Sequence, residues 1–221
     1  MIKSGYLFLF IPLLMISSHH SHAAGDAAVG RIIAKSCQSC HGLDGMNRIE
    51  GFPNLAGQNY GYLVNQLEAM RDSAKLRAGY STFVESDALT RKQIRRSSTI
   101  MDPYVIGLSD LAIADVSAFY AGLPCLQGAS KAPLPPPQVA VRCQICHDKS
   151  GISKDTNMPN LAGQDALYLE QQLKSYKAAK MQAGDGQEKR RSVVMEGQVR
   201  SLGDAVLHDI SLYYSSLPCN K

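Results

Sequence analysis

Four of the six cysteines in the chain form two motifs of the same spacing. Cys37-Gln38-Ser39-Cys40-His41 and Cys143-Gln144-Ile145-Cys146-His147 both read C-x-x-C-H, the attachment pattern for c-type haem. In this pattern two thiols bond covalently to the porphyrin vinyl groups, and the adjacent histidine is placed to bind the iron. The chain is therefore predicted to carry two covalently bound haem c groups, with His41 and His147 as the proximal iron ligands.

Two other kinds of site use a C-x-x-C pair. A structural zinc site made of cysteines would need a second pair near each first pair, and the sequence has none. A thioredoxin-like redox pair would need a βαβ pattern, which the sequence does not show. The histidine in both motifs and their duplication favour haem.

The two motifs belong to a longer internal repeat. An offset of 106 residues superimposes them, and it also superimposes 53–58 on 159–164, which both read Pro-Asn-Leu-Ala-Gly-Gln. Nearer the end of each half the offset becomes 94, so the first half has a longer loop within 79–95. Such a repeat predicts two copies of one domain, each with one haem motif.

An export signal and a linker divide the chain. Lys3 precedes an apolar run of eleven residues, and Ser21-His22-Ala23 fits a signal-peptidase site, so 1–23 is predicted to be a cleaved signal peptide. The run is too short for a membrane span, which takes about 20 residues. A proline-rich linker is predicted at 126–137, between one domain at 24–125 and another at 138–221. The expected location is the periplasm.

Apolar residues recur at helical spacing in both halves, and no run alternates as a strand would. The predicted buried faces include Leu63, Leu67 and Met70 in the first half and Leu169, Leu173 and Tyr176 in the second, together with Val116, Phe119 and Tyr120 and their counterparts Ile210, Tyr213 and Tyr214 on the last helix of each half. Asp26 is a candidate N-cap for a helix over 27–35, and Ser109 is one for a helix over 110–121. The first helix would have an apolar side formed by Val29, Ile32 and Ile33. We predict an all-α fold, with about three helices wrapped on a haem in each half.

The ligand on the second side of each haem decides what the iron can do. An axial methionine occupies the sixth coordination position of the iron and raises its reduction potential, as in electron carriers, whereas an open position permits catalysis. Among the methionines that follow the signal, only Met101 and Met195 occupy equivalent places in the repeat. We predict that both bind iron, with a role as ordinary core residues as the alternative. His208 has no histidine counterpart and is interpreted as a surface residue.

Two further sets of equivalent residues lie near the predicted ligands. Pro53 and Pro159 could each offer a carbonyl oxygen to the ring N–H of a proximal histidine, or could simply form a turn before a helix. Arg95-Arg96 and Lys189-Arg190 could hold haem propionates through charged hydrogen bonds. Charge runs of this kind are more often a solvated face.

The two cysteines outside the haem motifs, Cys125 and Cys219, are also equivalent in the repeat. Equivalent residues near a two-fold axis can meet, and the expected compartment is oxidising. We therefore predict a disulfide between the halves, with two separate buried thiols as the alternative.

Taken together, these residues resemble the dihaem cytochromes c4. The shared features are the Ala-Gly-Asp start, both haem motifs, both Pro-x-Leu-Ala-Gly-Gln stretches, the Tyr-Leu-x-x-Gln-Leu helices, and Met101 and Met195 before their last helices. The resemblance implies two tandem class I cytochrome c domains related by a pseudo-two-fold axis, with His/Met iron in both. Two features depart from it. Pro136 stands where the first domain has Gly30, which shortens a helix, and the paired terminal cysteines are not part of the family pattern.

The expected function is electron transport without catalysis on a substrate. The resemblance implies transfer toward a terminal oxidase, and we expect a quinol-oxidising complex or a small redox protein as donor. We expect a monomer that meets a membrane only through a partner. A formal net charge of only +4, lowered further by haem propionates, argues against nucleic acid as a partner. Two alternatives are the haem subunit of a dehydrogenase complex of the flavocytochrome type and a dihaem peroxidase, which would need one iron without methionine.

Overall fold

The computed structural model describes residues 25–80, 94–125, 133–178 and 189–219. The predicted signal peptide, most of the predicted linker and the centre of the longer loop in the first half lie outside the described residues. We call 25–125 the N-terminal half and 133–219 the C-terminal half. Among the helices described in the two halves, none combines the length and the apolar character that a membrane span requires.

The N-terminal half is mostly helical. Its elements are α1 (Ala27–Ile33), α2 (Gln38–His41), α3 (Tyr60–Arg77), β1 (Ile94–Ser97), α4 (Asp102–Val105) and α5 (Asp110–Gly122). As predicted, Asp26 and Ser109 are N-caps, because their side chains accept hydrogen bonds from the first free backbone N–H groups of α1 and α5. A 3-10 turn, Ala34–Ser36, leads from α1 toward the first haem motif.

The C-terminal half repeats this order with one helix shortened. Its elements are α6 (Ala140–His147), α7 (Ala166–Ala178), β2 (Lys189–Ser192), α8 (Val193–Val199) and α9 (Asp204–Ser216). A single helix, α6, stands where the N-terminal half has α1, the 3-10 turn and α2. Residues 133–137 adopt no regular structure. The predicted shortening is confirmed. The prolines before Ala140 cannot be accommodated inside a helix, so α6 begins only at Ala140.

The N-terminal helix α1 packs on α5 through a glycine. A β-carbon placed on Gly30 would lie 2.0 Å from the carbonyl oxygen of Asp115, so the two backbones approach as closely as glycine allows. The predicted apolar side of α1 is wrong in part, since Val29 and Ile32 are 43% and 66% exposed. Contact through the small residue turns those two side chains outward.

The longer helices bury the faces that the periodicity predicted. In the N-terminal half α3 and α5 bury Leu63, Met70, Val116, Phe119 and Tyr120. In the C-terminal half α7 and α9 bury Leu169, Tyr176, Ile210, Tyr213 and Tyr214. Each half therefore has its own apolar core, and the mostly helical fold is confirmed.

The two short strands were not predicted. β1 and β2 pair in antiparallel fashion across the two halves, with Arg96 opposite Arg190. Equivalent residues of the repeat thus face each other, as they must at a local two-fold axis. The segments Ile-Arg-Arg-Ser and Lys-Arg-Arg-Ser carry no alternating apolar pattern. Their extended conformation comes from pairing between distant parts of the chain, which no local pattern records.

Candidate haem sites

The two proximal histidines have the same environment. His41 and His147 end helices α2 and α6, and both are buried. Nδ1 of His41 lies 3.0 Å from the carbonyl oxygen of Pro53, and Nδ1 of His147 lies 3.1 Å from that of Pro159. The predicted role of the two prolines is confirmed. Because a carbonyl can only accept, Nδ1 carries the proton and Nε2 is the nitrogen free to bind a metal.

Burial keeps these imidazoles neutral. It lowers the pKa of His41 and of His147, because a desolvated ring disfavours the charged form, and it outweighs the opposing effect of the proline carbonyls. Burial also raises the pKa of the Cys37 and Cys143 thiols. The neutral ring is the form in which histidine binds a metal.

One cavity of about 720 Å³ extends across both halves. Its walls are mainly apolar, and they contain most of the residues that the sequence singled out: Cys37, His41, Met101, Cys143, Cys146, His147 and Met195. Cys40 lies one residue before His41 on α2, is partly exposed, and does not line the cavity. A paired thiol motif, a neutral imidazole and a thioether around an apolar space suit a covalent haem in each half.

The two methionines occupy related places. Met101 is the residue before α4 and packs on the buried cluster that contains Met70 and Val105. Met195 lies in the first turn of α8 and packs on the cluster that contains Tyr176 and Leu207. Both are partly buried and line the cavity, so both could serve as iron ligands.

His208 does not belong to the site. It lies on α9, is exposed, and its Nδ1 is 2.8 Å from the Glu170 carboxylate. The interpretation as a surface residue is confirmed.

The repeated Pro-Asn-Leu-Ala-Gly-Gln segments also hold the halves together, which the sequence analysis missed. The Asn54 N–H donates to Oε1 of Gln164 at 2.7 Å, and Nε2 of Gln164 donates to the Asn54 carbonyl at 2.9 Å. Asn160 and Gln58 repeat the exchange at 2.7 and 2.9 Å. All four residues are buried. We call these four residues the amide junction.

The amide junction is connected to the segments that surround each proximal histidine. Oδ1 of Asn54 accepts from the Asn47 N–H at 2.8 Å, and Oδ1 of Asn160 accepts from the Ser153 N–H at 3.0 Å. Asn54 and Asn160 directly follow the prolines whose carbonyls bind the histidines. The signal available in the sequence was the identity of all six residues, more than a carbonyl partner alone requires.

The symmetry of this region breaks at the equivalent positions Asn59 and Asp165. Nδ2 of Asn59 donates to the carbonyl oxygens of Asp155 and Met158 in the other half, at 3.1 and 2.7 Å. The Asp165 carboxylate instead accepts from Nδ2 of Asn47 and from a backbone N–H, both at 3.1 Å. One half thus presents a donor where the other presents an acceptor.

Cys125 and Cys219 form the predicted disulfide, which joins the halves with a Cα–Cα distance of 5.6 Å. A β-carbon placed on Gly57, next to Gln58 of the amide junction, would lie 3.3 Å from Cβ of Cys125. The covalent link therefore sits beside the hydrogen-bonded one.

Two arginines of the charge runs, Arg96 and Arg190, do not lie on a solvated face. Arg96 and Arg190 are 5% and 4% exposed and line the cavity. Arg96 donates to the Gln66 side chain at 3.1 Å and to the Tyr168 hydroxyl at 2.9 Å. Arg190 donates to the Gln172 side chain at 2.7 Å and to the Tyr62 hydroxyl. Each guanidinium thus bonds to a glutamine of its own half and to a tyrosine of the other, so the interpretation as a solvated face is wrong for these two residues.

A chain that builds the same carbonyl-bound histidine site twice, in two helical halves, is a c-type cytochrome with two haem groups. The family model described as Cytochrome c matches residues 27–123 and 138–218. A cytochrome c4 of Pseudomonas aeruginosa is 30% identical over 209 residues, which cover 89% of this chain and 91% of that protein. This chain belongs to the cytochrome c family and, within it, to the dihaem cytochromes c4, and it carries two covalently bound haem c groups.

Two further relatives bear on fold and function. The crystal structure of reduced recombinant cytochrome c4 from Pseudomonas stutzeri superimposes with a TM-score of 0.62 at 25% identity and covers 88% of this chain and 100% of that one. A thiosulfate dehydrogenase electron acceptor of Stutzerimonas stutzeri is 29% identical over 165 residues, covering 65% of this chain and 64% of that protein. The structural comparison supports the fold, and both relatives are described as redox proteins.

Proposed function

We propose that this protein is a periplasmic electron carrier whose two haems both have His/Met ligation. Cys37 and Cys40 attach the first haem and Cys143 and Cys146 the second. His41 with Met101, and His147 with Met195, are the iron ligands. The observation that carries the proposal is that one apolar cavity is lined by both histidines and both methionines.

The chain's own residues make each site a conductor rather than a catalyst. When bound, each haem supplies a one-electron redox centre. The proline carbonyls fix the histidine rings, so that Nε2 points to one position and the ring does not turn away when charge changes. A methionine on the second side leaves no position for a substrate, and we therefore propose that the protein is not an enzyme.

The junction between the halves keeps the two sites at a fixed separation. Hydrogen bonds of the amide junction, the β1–β2 pairing and the disulfide all cross it. A connection of this kind allows little relative motion of the halves. The path for electron transfer between the two haem sites therefore stays the same when redox partners bind and dissociate.

We further propose the partners and the organisation of the mature chain. Electrons come from a quinol-oxidising complex or a small redox protein and pass toward a terminal oxidase. The mature protein is a monomer that follows a signal peptide at 1–23, with domains at 24–125 and 138–221. The small net charge suits brief complexes with other redox proteins rather than binding to nucleic acid.

The second candidate is a haem subunit held permanently by a dehydrogenase. The relative described as a thiosulfate dehydrogenase electron acceptor favours this candidate, since that description pairs it with a dehydrogenase. Gel filtration of the native periplasmic protein separates the two candidates. A free carrier elutes as a monomer, whereas co-elution with a flavin- or molybdenum-containing subunit supports the second candidate.

The proposed ligands are tested by Met101→His and Met195→His, each followed by optical spectra and potentiometric titration. Each change is expected to lower the potential of one haem only, because a thioether favours ferrous iron more than an imidazole does. Met158→Leu is the matched control, since Met158 also lines the cavity but has Phe52 as its repeat partner. A five-coordinate, high-spin iron in either half of the unaltered protein would contradict the proposal.

A further inference from the structure

Arg190 is a buried cation with an unused donor. Its side chain, from β2, donates to the Gln172 side chain and to the Tyr62 hydroxyl. The guanidinium also lies over the ring of Tyr176, 4.9 Å from the centroid. Its Nε is buried and has no hydrogen-bond acceptor among the described residues. The two bonds that Arg190 does make hold the guanidinium in place and leave the N–H of Nε unsatisfied.

The charge of Arg190 has no carboxylate partner in the described parts of the chain. Its polar contacts are an amide and a phenol, which orient a guanidinium without neutralising it. Arginine does not lose its proton in proteins, so the charge is permanent. A permanent buried charge without a counter-ion is strongly unfavourable. Arg96, directly opposite on β1, brings a second guanidinium into the same region.

The position of Arg190 shows where a counter-ion would come from. It lines the cavity that also contains His147 and Met195. The hydroxyl that holds it belongs to the other half, on α3. An anion bound here would lie inside the haem cavity and beside the junction of the halves.

We propose that Arg190 binds a carboxylate within the cavity, and that this carboxylate is a haem propionate. A guanidinium with a free N–H can pair a carboxylate through charged hydrogen bonds. Tyr62, which belongs to the other half, helps to position Arg190. Binding of this carboxylate by Arg190 therefore depends on the contact between the two halves. The proposal rests on the two covalent haems and is independent of which donor or acceptor the protein serves.

The test compares Arg190→Gln with the unaltered protein by potentiometric titration of both haems. Loss of a buried positive charge beside a haem disfavours the reduced form, so the midpoint potential of at least one haem falls. In Arg190→Lys the midpoint potential is expected to fall less than in Arg190→Gln, because the positive charge is kept. The matched control is Arg200→Gln, which removes an exposed charge from the same half and leaves both potentials in place.

Tyr62→Phe separates a structural role from an electrostatic one. This variant removes a hydrogen bond of Arg190 and keeps the charge, so the unfolding temperature falls while both potentials change less than in Arg190→Gln. If Arg190→Gln lowers the unfolding temperature and leaves both potentials unchanged, Arg190 is only a structural tie and the proposal is wrong.

The source of the anion is decided by repeating the titrations over a range of phosphate and chloride concentrations. A covalently held propionate makes the Arg190→Gln shift independent of both salts. Potentials of the unaltered protein that vary with phosphate, and cease to vary in Arg190→Gln, would assign the site to a free anion and overturn the proposal. Should Arg190→Gln not fold, the resonance Raman propionate band decides. It is expected to differ between Arg190→Lys and the unaltered protein, and an identical band contradicts the proposal.

Discussion

Asn54 and Gln164 belong to different halves of the chain and are both buried. The Gln164 side chain accepts a hydrogen bond from the backbone N–H of Asn54 and donates one to its carbonyl. Their repeat partners, Asn160 and Gln58, make the same exchange in the opposite direction. Asn54 follows Pro53, whose carbonyl holds the proximal histidine His41. The residue that orients the iron ligand is therefore the chain neighbour of a residue that joins the halves.

The first prediction concerns the amide junction. Gln164→Ala removes the two hydrogen bonds that the Gln164 side chain makes to the buried backbone of Asn54, at an expected cost of about 2–4 kcal/mol in unfolding free energy. The measurement is urea denaturation of the holoprotein. Gln171→Ala, at an exposed glutamine on α7, the helix that follows Gln164, is the control and should change stability little. Equal effects of the two variants would show that the junction adds nothing to stability.

The second prediction concerns the disulfide. Replacing Cys125 and Cys219 by serine removes a link between residues 94 apart and is expected to lower the unfolding free energy by about 2–4 kcal/mol, because the unfolded chain regains freedom. The folded halves should stay joined, since the amide junction remains. Small-angle scattering should therefore give the same radius of gyration for variant and unaltered protein, and urea denaturation gives the stability. Two titratable thiols in the native, unreduced protein would refute the bond itself.

The third prediction concerns the contact of α1 with α5. Gly30→Ala places a methyl group against the Asp115 carbonyl and is expected to destabilise the protein by about 1–3 kcal/mol, or more if the helices must separate. Gly122→Ala is the matched control, because a β-carbon at Gly122 meets no atom within 4 Å. Since alanine favours a helix over glycine, that variant should be neutral or more stable by up to about 1 kcal/mol. Thermal unfolding of both variants and of the unaltered protein shows whether each substitution lowers or raises the stability.

The fourth prediction concerns access to the iron. Met195→Ala should open the second side of one haem, so that the reduced protein binds carbon monoxide at one site per chain. Met101→Ala should do the same at the other haem, and Met158→Ala should not open either. Optical difference spectra with and without carbon monoxide give the stoichiometry. Binding by the unaltered protein, or no binding by either of the first two variants, would argue against methionine ligation.

Much of the site was readable from the sequence because its signals are local or duplicated. The C-x-x-C-H motifs are five consecutive residues, and the offset between the halves singled out Met101 and Met195 and paired Cys125 with Cys219. Helical periodicity predicted the buried faces of α3 and α5, since those faces repeat every three to four residues.

Other features were not readable because they depend on which surfaces meet. Arg190 belongs to a sequence that usually faces solvent, and only its pairing with the opposite half buries it. Ile32 has the right spacing for burial, yet α1 contacts α5 through Gly30 and turns Ile32 outward. In both cases the environment of a side chain is set by a distant segment, and local patterns carry no information about it.

The sequence by itself determined that the chain carries two haem motifs, one in each of two helical repeats, and which methionines and cysteines are equivalent. Only the tertiary structure decided how the repeats face each other, and hence that the Asn and Gln side chains of one repeated segment satisfy the backbone of the other. The physical reason is that a buried peptide group must find a hydrogen-bond partner, and here that partner lies more than a hundred residues away.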